Sequence, residues 1–217
     1  MNEIKVLDKG FIQFVDSMGN DQRVVDSARV SYGKGTKTAR EDEKLINYLI
    51  KNQHWSPFEH CLITIIVKCP MFVRSQWHRH KWSYNEESAR YSEVCGDFYV
   101  PSEWRGQSSK NKQCSEGTVR EKKRFYNNGY EQNISDALHW YKENIKNGMS
   151  REMARMILPQ SMYTKFYATV NLRSLLHFIQ LRDHDHAQYE IREYAKVLST
   201  FVEDKFPLTY KAFKENE

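Results

Sequence analysis

Residues 61–92 read CLITIIVKCPMFVRSQWHRHKWSYNEESARYS, an apolar run followed closely by a dense polar stretch. The near-continuous apolar, β-branched segment Cys61–Val67 predicts a mostly buried strand. Proline is tolerated in the first turn of a helix, so Pro70–Trp77 predicts a helix. The polar stretch Gln76–Ser92 is therefore expected to begin at the end of this helix.

The polar stretch combines fixed or tunable positive charges, short hydrogen-bonding side chains and carboxylate acceptors. These groups are Arg79, His80, Lys81 and Arg90, then Ser83, Asn85 and Ser88, and finally Glu86 and Glu87. Together they predict a pocket for an anionic ligand that is rich in hydrogen-bonding groups. The alternative on composition alone is an exposed polar loop with salt bridges, because charge runs are usually solvated surface.

The same stretch resembles the signature of flavin-dependent thymidylate synthases, which reads Arg-His-Arg, seven residues and then Ser, with Asn-Glu before the Ser and Arg-Tyr after it. The second half is matched by Asn85, Glu86, Ser88, Arg90 and Tyr91. Aligned without a gap, residues 78–80 fall on Arg-His-Arg. With one residue deleted between Lys81 and Ser83, residues 79–81 fall there instead. We prefer this second register, in which Lys81 replaces an arginine.

Further segments resemble the same family. His54–His60 is similar to a His-x-Thr-Pro-Phe-Glu-His segment at the flavin and folate site, and Ser56 keeps the hydroxyl of the usual threonine. Arg155 begins an Arg-x-x-Leu-Pro pattern similar to the segment that binds the nucleotide phosphate. Asn171–Leu175 resembles the Asn-x-Arg-Ser-Leu segment that contacts the flavin, although His177 stands where the family commonly has Asn.

Leu181–Arg192 resembles the family's Leu-Arg followed by His-Ala-Gln-x-Glu-Ile. The resemblance thus runs from about Val30 to Ile191 through several motifs in the right order. It implies an α/β protein with a mixed sheet flanked by helices, assembling as a homotetramer with active sites between subunits. It also implies reductive methylation of dUMP to dTMP, with methylenetetrahydrofolate as carbon donor, NADPH as reductant and tightly bound FAD.

The resemblance implies the following site residues. FAD would be bound by Ser56, Arg79, His80, Lys81, Glu86, Asn171, Leu172, Arg173 and His177. The nucleotide dUMP would be bound by Gln76, Trp77, Arg79, Glu86, Glu87, Ser88, Ala89, Arg90, Arg155 and Arg182. Of these, Arg182 is the catalytic candidate, because a guanidinium can stabilise negative charge that develops on the uracil. His54 and His186 would lie near the folate and flavin, and no metal is expected.

Length and composition bound the class of protein. A chain of 217 residues with 40% hydrophobic content favours one domain, residues 1–217. The net charge of +5 is spread along the chain, so it permits nucleic-acid binding but is explained equally well by anionic small molecules. The four cysteines include no CxxC pair, and the N-terminus lacks the pattern of a signal peptide, so we expect reduced thiols in the cytoplasm. No apolar run approaches the roughly 18–20 residues of a membrane span.

The remaining elements follow from periodicity and turn residues. Ile4–Leu7 and Phe11–Val15 predict a hairpin, and Gly33-Lys34-Gly35 lacks the spacing of a dinucleotide or phosphate loop. Helices are predicted over Thr38–Lys51, Glu121–Asn147, Ser150–Pro159 and Ala187–Val202. The third of these helices would place Arg155 half-buried, in need of an anionic partner.

Two segments carry more specific expectations. Apolar residues at three- and four-residue spacing in the helix over 121–147 are expected in the core. They are Tyr126, Tyr130, Ile134, Ala137, Leu138 and Tyr141. Residues 93–118 lack apolar periodicity, which predicts a mobile loop or insertion.

Two other classes of protein remain open on the residues alone. A metal-dependent hydrolase could use the paired histidines His78, His80, His184 and His186, although no HExxH motif accompanies them. A nucleic-acid-binding protein could stack bases on Trp77, Trp82 and Tyr84. No cysteine falls in the signature stretch or the C-terminal motifs, so activation of uracil by a cysteine is not indicated. The resemblance to the family implies that the flavin carries this chemistry instead.

Overall fold

The structure is a computed structural model that describes residues 3–30, 39–91, 93 and 96–217. The strands in chain order are β1 (Glu3–Val6), β2 (Gly10–Met18), β3 (Leu62–Pro70), β4 (Ser83–Glu86), β5 (Arg105–Gln107), β6 (Ser115–Thr118) and β7 (Tyr163–Asn171). Five of them form one sheet in the order β1-β2-β3-β7-β4, and β5 pairs with β6 in a separate hairpin. The expected hairpin near the N-terminus is the pair β1 and β2.

The helices in chain order are α1 (Asp21–Ala28), α2 (Ala39–Lys51), α3 (Met71–Trp77), α4 (Lys123–Lys146), α5 (Arg151–Ala154), α6 (Leu172–Arg182), α7 (Tyr189–Lys205) and α8 (Pro207–Glu215). Short 3₁₀ turns lie at Ser56–His60 and Arg155–Ile157. No helix of the described chain is long and apolar enough to cross a membrane. Thr38 and the Gly33-Lys34-Gly35 segment lie outside the described residues.

One face of the sheet forms the core of the protein. Side chains alternate across a strand, so Ile63, Ile65 and Val67 of β3 are buried on one face. Leu62, Thr64 and Ile66 are only partly buried on the other. The helices α3, α6 and α7 pack on the sheet, each contacting one or two of its strands. The predicted buried strand is therefore present, but it is fully buried on one face only.

The sheet corrects one part of the expected architecture. The α/β class with helices flanking a sheet is confirmed, but each of the four strand pairings in the sheet is antiparallel, so the sheet is not mixed. A parallel pair needs a crossover connection between neighbouring strands. Here the connections return to the sheet so that each neighbour runs in the opposite direction.

The central pairing is that of β3 with β7, which aligns Leu62 with Asn171 at one end and Pro70 with Tyr163 at the other. The edge strand β4 pairs with β7 from Ser83 opposite Thr169 to Glu86 opposite Phe166. The sheet therefore has two distinct ends: the Asn171 end, where α6 begins, and the Tyr163 end, where α3 begins.

The segment 93–118 has more structure than its composition predicted. Within its described part, β5 and β6 form a hairpin, and Phe98 and Tyr99 are buried. Arg105 of β5 forms an ion pair of 2.6 Å with the buried Glu190 of α7. Polar anchors of this kind leave no hydrophobic period in the sequence, which is why the pattern indicated only a loop; the mobility of the segment stays a prediction.

The long helix α4 is less buried than its stripe of aromatic residues predicted. Tyr141 is buried, whereas the remaining predicted core residues are only partly buried. Elsewhere on the helix, Phe125 is 74% exposed and Trp140 is 59% exposed. A single chain therefore leaves much apolar surface of α4 open to solvent.

An aromatic cluster holds α3, α6 and β7 together. Trp77 is fully buried, and its ring contacts those of Phe166, Phe178 and Tyr194 at centroid distances of 5.5, 4.8 and 5.8 Å. Phe178 also contacts His80 at 4.8 Å. The cluster thus supports the polar stretch from beneath.

We expect Phe178→Ala to lower the free energy of unfolding by about 3–5 kcal/mol, because it removes a buried aromatic ring and leaves a cavity. Phe125→Ala is the matched control, since that ring is 74% exposed, and it should change the value by less than about 1 kcal/mol. Urea unfolding of both variants measures the difference. Equal losses for the two variants would contradict this assignment of the core.

Candidate functional site

Two large cavities lie at opposite ends of the central strand pair. Cavity one has a volume of about 770 Å³ and lies near the Asn171 end. Its lining residues are Gln53, Trp55, Glu59, Arg79, His80, Lys81, Arg173, Ser174, Leu176, His177, Gln180, Leu181, Arg182 and Phe213. This set contains every predicted cationic FAD ligand together with Arg182.

Cavity one carries an excess of positive charge. Four cationic side chains line it, from Arg79, Lys81, Arg173 and Arg182, against the single carboxylate of Glu59. Glu59 forms an ion pair with Arg173. Within the described parts of the chain, Arg79 and Lys81 have no ion-pair partner. A cavity of this size and charge is suited to an anionic ligand with a ring system.

Helix α6 supplies one wall of cavity one. Asn171 caps the helix, its side chain accepting a hydrogen bond of 2.8 Å from the Ser174 amide. Arg173, His177 and Gln180 follow at helical spacing on the exposed face and line the cavity. Gln180 was not predicted, but its spacing from His177 on a helix was sufficient to find it.

Arg182 is held at the end of α6 by His80. The Arg182 Nε donates a hydrogen bond of 3.1 Å to Nε2 of His80, so the neutral ring carries its proton on Nδ1. Burial and then the charge of Arg182 lower the pKa of His80 to about 4. Burial also lowers the pKa of Arg182 from its usual value. The pair thus combines one fixed cation with a neutral imidazole whose remaining ring nitrogen, Nδ1, is a donor.

Cavity two has a volume of about 740 Å³ and lies at the Tyr163 end of the sheet. Among its lining residues are the predicted nucleotide ligands Glu86, Glu87, Ser88, Ala89 and Arg155. Its charges are balanced. The cations are Lys68, Arg74, Arg155 and Lys165, and the carboxylates are Glu86, Glu87, Glu93 and Asp97.

Internal pairs neutralise part of cavity two. Glu86 accepts hydrogen bonds from Arg74 and from the Thr164 hydroxyl, the latter at 2.9 Å. Lys68 pairs with Asp97 at 2.7 Å. Neither Arg74 nor Thr164 was predicted, because each lies in a different element from the motif.

Arg155 is exposed rather than half-buried, which corrects the prediction from the sequence. The expected helix ends early: α5 stops at Ala154, and Arg155 starts a 3₁₀ turn at the protein surface. In the described ranges Arg155 has no ion-pair partner. Its guanidinium is therefore available to an anion that enters cavity two.

Several predicted site residues lie elsewhere. The side chains of Trp77 and Leu172 are fully buried in the core, so they have no surface for a ligand. Ser56 and His54 are exposed outside the cavity linings, and the His54 ring contacts Tyr48.

Three further predicted residues make contacts at the protein surface. Arg90 is exposed and forms an ion pair of 3.3 Å with Glu152. His186 is exposed, and its ring lies 4.9 Å from that of His184. Gln76 donates a hydrogen bond of 2.6 Å to Gln188. Asn171, described above, is a helix cap. For these residues a direct role in binding stays a prediction.

The structure supports the register in which residues 79–81 match Arg-His-Arg. All three of these side chains line cavity one. His78 instead stacks on Tyr84 at 4.1 Å, and its buried Nε2 has no hydrogen-bond partner in the described structure. The Lys81 side chain can thus contact a molecule that binds in cavity one.

The polar signature is divided between the two cavities. Residues 79–81 line cavity one and residues 86–89 contribute to cavity two, with β4 between them. The four residues of β4 alone span about 13 Å. One chain therefore does not bring the two halves of the motif to a single point.

The two rival classes find less support in the site. Within the described residues, no group of three or more potential ligands could hold a metal ion. Of the aromatic residues proposed to stack on bases, Trp77 is fully buried, and Trp82 and Tyr84 are partly buried in the cluster beneath the polar stretch. Cys61 and Cys69 are buried and line neither cavity, and burial raises the pKa of the Cys61 thiol to about 11.

The fold and the cation-rich cavity define an α/β protein with a site for an anionic, ring-containing ligand. A family model described as "Thymidylate synthase complementing protein" matches residues 13–208. The chain is 45% identical over 214 residues to the flavin-dependent thymidylate synthase of Thermus thermophilus, covering 98% of this chain and 78% of that protein. It is 46% identical over 213 residues to that of Thermosipho africanus, covering 97% and 93%.

A solved structure agrees with these relatives. The UMP/dUMP methylase PolB from Streptomyces cacaoi, bound with 5-Br dUMP, superimposes with a TM-score of 0.88 at 34% identity, covering 98% of this chain and 97% of that one. The chain therefore belongs to the flavin-dependent thymidylate synthase family, and it is a methyltransferase.

We expect His80 to be neutral at pH 7 and to titrate near pH 4, because burial and the neighbouring Arg182 disfavour the imidazolium. Since the folded-state pKa lies below the usual 6.5, the contribution of His80 to stability is complete above about pH 6.5 and falls as the pH drops towards 4. An NMR titration of the His80 ring measures this pKa. In Arg182→Ala the pKa should rise but stay below 6.5, and a wild-type value at or above 6.5 would refute the assignment.

Proposed function

We propose that this protein converts dUMP to dTMP by reductive methylation, with bound FAD, methylenetetrahydrofolate as carbon donor and NADPH as reductant. Membership of the family supports the reaction type. The single observation that carries the proposal at the level of residues is the convergence of Arg79, His80, Lys81, Arg173 and Arg182 on one cation-rich cavity. The free thiols Cys61, Cys69 and Cys114 are consistent with a reducing cytoplasm as its location.

The residues of cavity one fit a flavin dinucleotide. Arg79 and Lys81 are cations without ion-pair partners in the described chain, as a diphosphate requires. Trp55, Leu176 and Phe213 add apolar and aromatic surface for a ring. His177 replaces the usual Asn of the family, so its contact would come from an imidazole. When bound, the flavin supplies the redox chemistry of the methyl transfer.

For dUMP we assign different roles to two arginines. Arg182 would meet the uracil edge, where its guanidinium stabilises negative charge as the ring becomes nucleophilic at C5. His80 would keep that guanidinium oriented through the hydrogen bond to Nε. Arg155 would bind the phosphate, whose charge hardly changes during the reaction. Glu87, Ser88 and Ala89 line the same cavity as Arg155.

The separation of these arginines supports an active site shared between subunits. Arg182 lines cavity one, whereas Arg155 lines cavity two at the other end of the sheet. A single dUMP molecule can contact both only if a second copy of the chain brings its cavity two to cavity one. Trp140 of α4 and Met153 and Met156 of the segment after it are exposed, and they offer surface for such contacts. We propose the homotetramer on this basis, built from a single domain per chain.

We expect the purified protein to be yellow with non-covalently bound FAD, or to gain flavin absorbance when FAD is added. Lys81→Arg should bind FAD as tightly as the wild type or more tightly, because an arginine can form a bidentate contact with a phosphate and an ammonium cannot. Fluorescence titration with FAD measures the affinity of both proteins. A colourless protein that binds no FAD, or a large loss of affinity in Lys81→Arg, would overturn the assignment of cavity one.

We expect Arg182→Ala to lower mainly the kcat and Arg155→Ala to raise mainly the KM for dUMP. Loss of a preorganised donor to developing charge costs on the order of 3–4 kcal/mol, about a hundred- to a thousandfold in kcat. Loss of a phosphate contact mainly raises the KM for dUMP, so Arg155→Ala should recover most of its turnover at high dUMP. Steady-state kinetics of FAD-loaded variants decide the matter. If saturating dUMP restores Arg182→Ala to nearly wild-type kcat, Arg182 is only a binding residue.

A further inference from the structure

Glu190 is a buried carboxylate that lines neither cavity. It lies in the first turn of α7 and is 2% exposed. Its Oε1 accepts hydrogen bonds from Nη2 of Arg105 at 2.6 Å and from the Tyr99 hydroxyl at 3.1 Å. Burial of a charged group is costly unless it is paired and hydrogen-bonded, and these two donors satisfy only one of its oxygens.

The second oxygen of Glu190 begins a chain of amide hydrogen bonds. Its Oε2 accepts from Nε2 of Gln188 at 2.9 Å. Oε1 of Gln188 in turn accepts from Nε2 of Gln76 at 2.6 Å. These hydrogen bonds run from the core at Glu190 to the end of α3. In the sequence, Gln76 stands between Arg74, which lines cavity two, and Arg79, which lines cavity one.

The carboxylate gives this chain a direction. A carboxylate paired with a guanidinium only accepts hydrogen bonds, so Gln188 must turn its amide nitrogen towards Glu190. The oxygen of Gln188 then faces Gln76, which must turn its own nitrogen towards Gln188. Reversing either amide would place two oxygens or two nitrogens against each other. Glu190 thus sets the orientation of the Gln76 amide through Gln188.

We propose that Glu190 is a positioning residue that fixes, through Gln188, the orientation of the Gln76 amide at the nucleotide site and thereby sets the affinity for dUMP. The proposal rests on the proposed function and on a contact between Gln76 and dUMP, which the resemblance to the family implies. Glu190 itself does not touch the nucleotide. Its carboxylate acts by excluding one of the two orientations that the Gln76 amide could adopt.

Glu190→Gln tests the direction of these hydrogen bonds, because the glutamine side chain has nearly the same shape as the glutamate side chain. Arg105 can only donate, so the oxygen of the new amide faces Arg105 and its nitrogen faces Gln188. Every hydrogen bond can then still form, but only with the Gln188 and Gln76 amides reversed. We expect the Kd and the KM for dUMP to rise about tenfold, the size of one directed hydrogen bond to a ligand. The kcat should change by less than about threefold, because the charge developing on the uracil is not involved.

A double-mutant cycle separates this role from a structural one. In a Gln76→Ala background, Glu190→Gln should change the Kd for dUMP by less than about twofold, since no amide remains to be oriented. If Glu190→Gln weakens binding equally in both backgrounds, or has no effect in either, the proposal is wrong. Glu193→Gln is the control: it makes the same change in the same helix, at a surface pair with Lys196, and should leave the Kd unchanged.

A second variant covers the case in which Glu190→Gln fails to fold. Gln188→Met removes the hydrogen bonds that link Glu190 to Gln76 but keeps the buried ion pair of Glu190 with Arg105. It should raise the Kd for dUMP by a similar factor. Calorimetry with dUMP on the flavin-loaded protein gives the Kd, and chromatography of dTMP gives the turnover. A wild-type protein that neither binds dUMP nor forms dTMP overturns the proposed function. A wild-type protein that does both, with Glu190→Gln and Gln188→Met unchanged, overturns only the role of Glu190.

Discussion

The antiparallel pairing of β3 with β7 determines where every functional element of this protein lies. Its nine aligned residue pairs, from Leu62 with Asn171 to Pro70 with Tyr163, fix two ends of the sheet. At the Asn171 end, α6 starts and carries Arg173, His177 and Arg182 into cavity one. At the other end, α3 starts and cavity two opens. A slip of one strand by one residue would turn the buried side chains of that strand outwards and separate these groups.

The two cavities differ in electrostatics because their local pairings differ. In cavity two, Glu86 and Asp97 are neutralised by Arg74 and Lys68, so the site is polar but balanced. In cavity one a single carboxylate, Glu59, faces four cations. In the function proposed above, the excess of positive charge favours a dinucleotide in cavity one, and Arg155 of cavity two binds the phosphate of a smaller ligand. Under that proposal, each chain carries two half-sites of different character.

The sequence predicted elements with a strong hydrophobic period and missed those held by polar contacts. Helices α2, α4 and α7 and strand β3 follow from apolar spacing. The hairpin of β5 and β6 could not be predicted, because its anchor is the ion pair of Arg105 with Glu190, 85 residues apart. In the site, the residue types of the motifs selected Arg79, Lys81 and Arg173, and all three line cavity one. Spacing alone could not show that Trp77 points into the core, since burial depends on what packs against it.

The central claim is that one active site combines cavity one of one subunit with cavity two of another. Arg182→Ala and Arg155→Glu each disable a different half, so mixed oligomers should contain intact sites built from the two unmutated halves. At low dUMP, co-assembly of equal amounts should restore about a quarter of wild-type dTMP formation, the fraction expected for random assembly of dimeric sites. As the control, each variant is dissociated and reassembled alone, and it should stay inactive. Mixed oligomers that form no more dTMP than the two variants separately would show that each site lies within one chain.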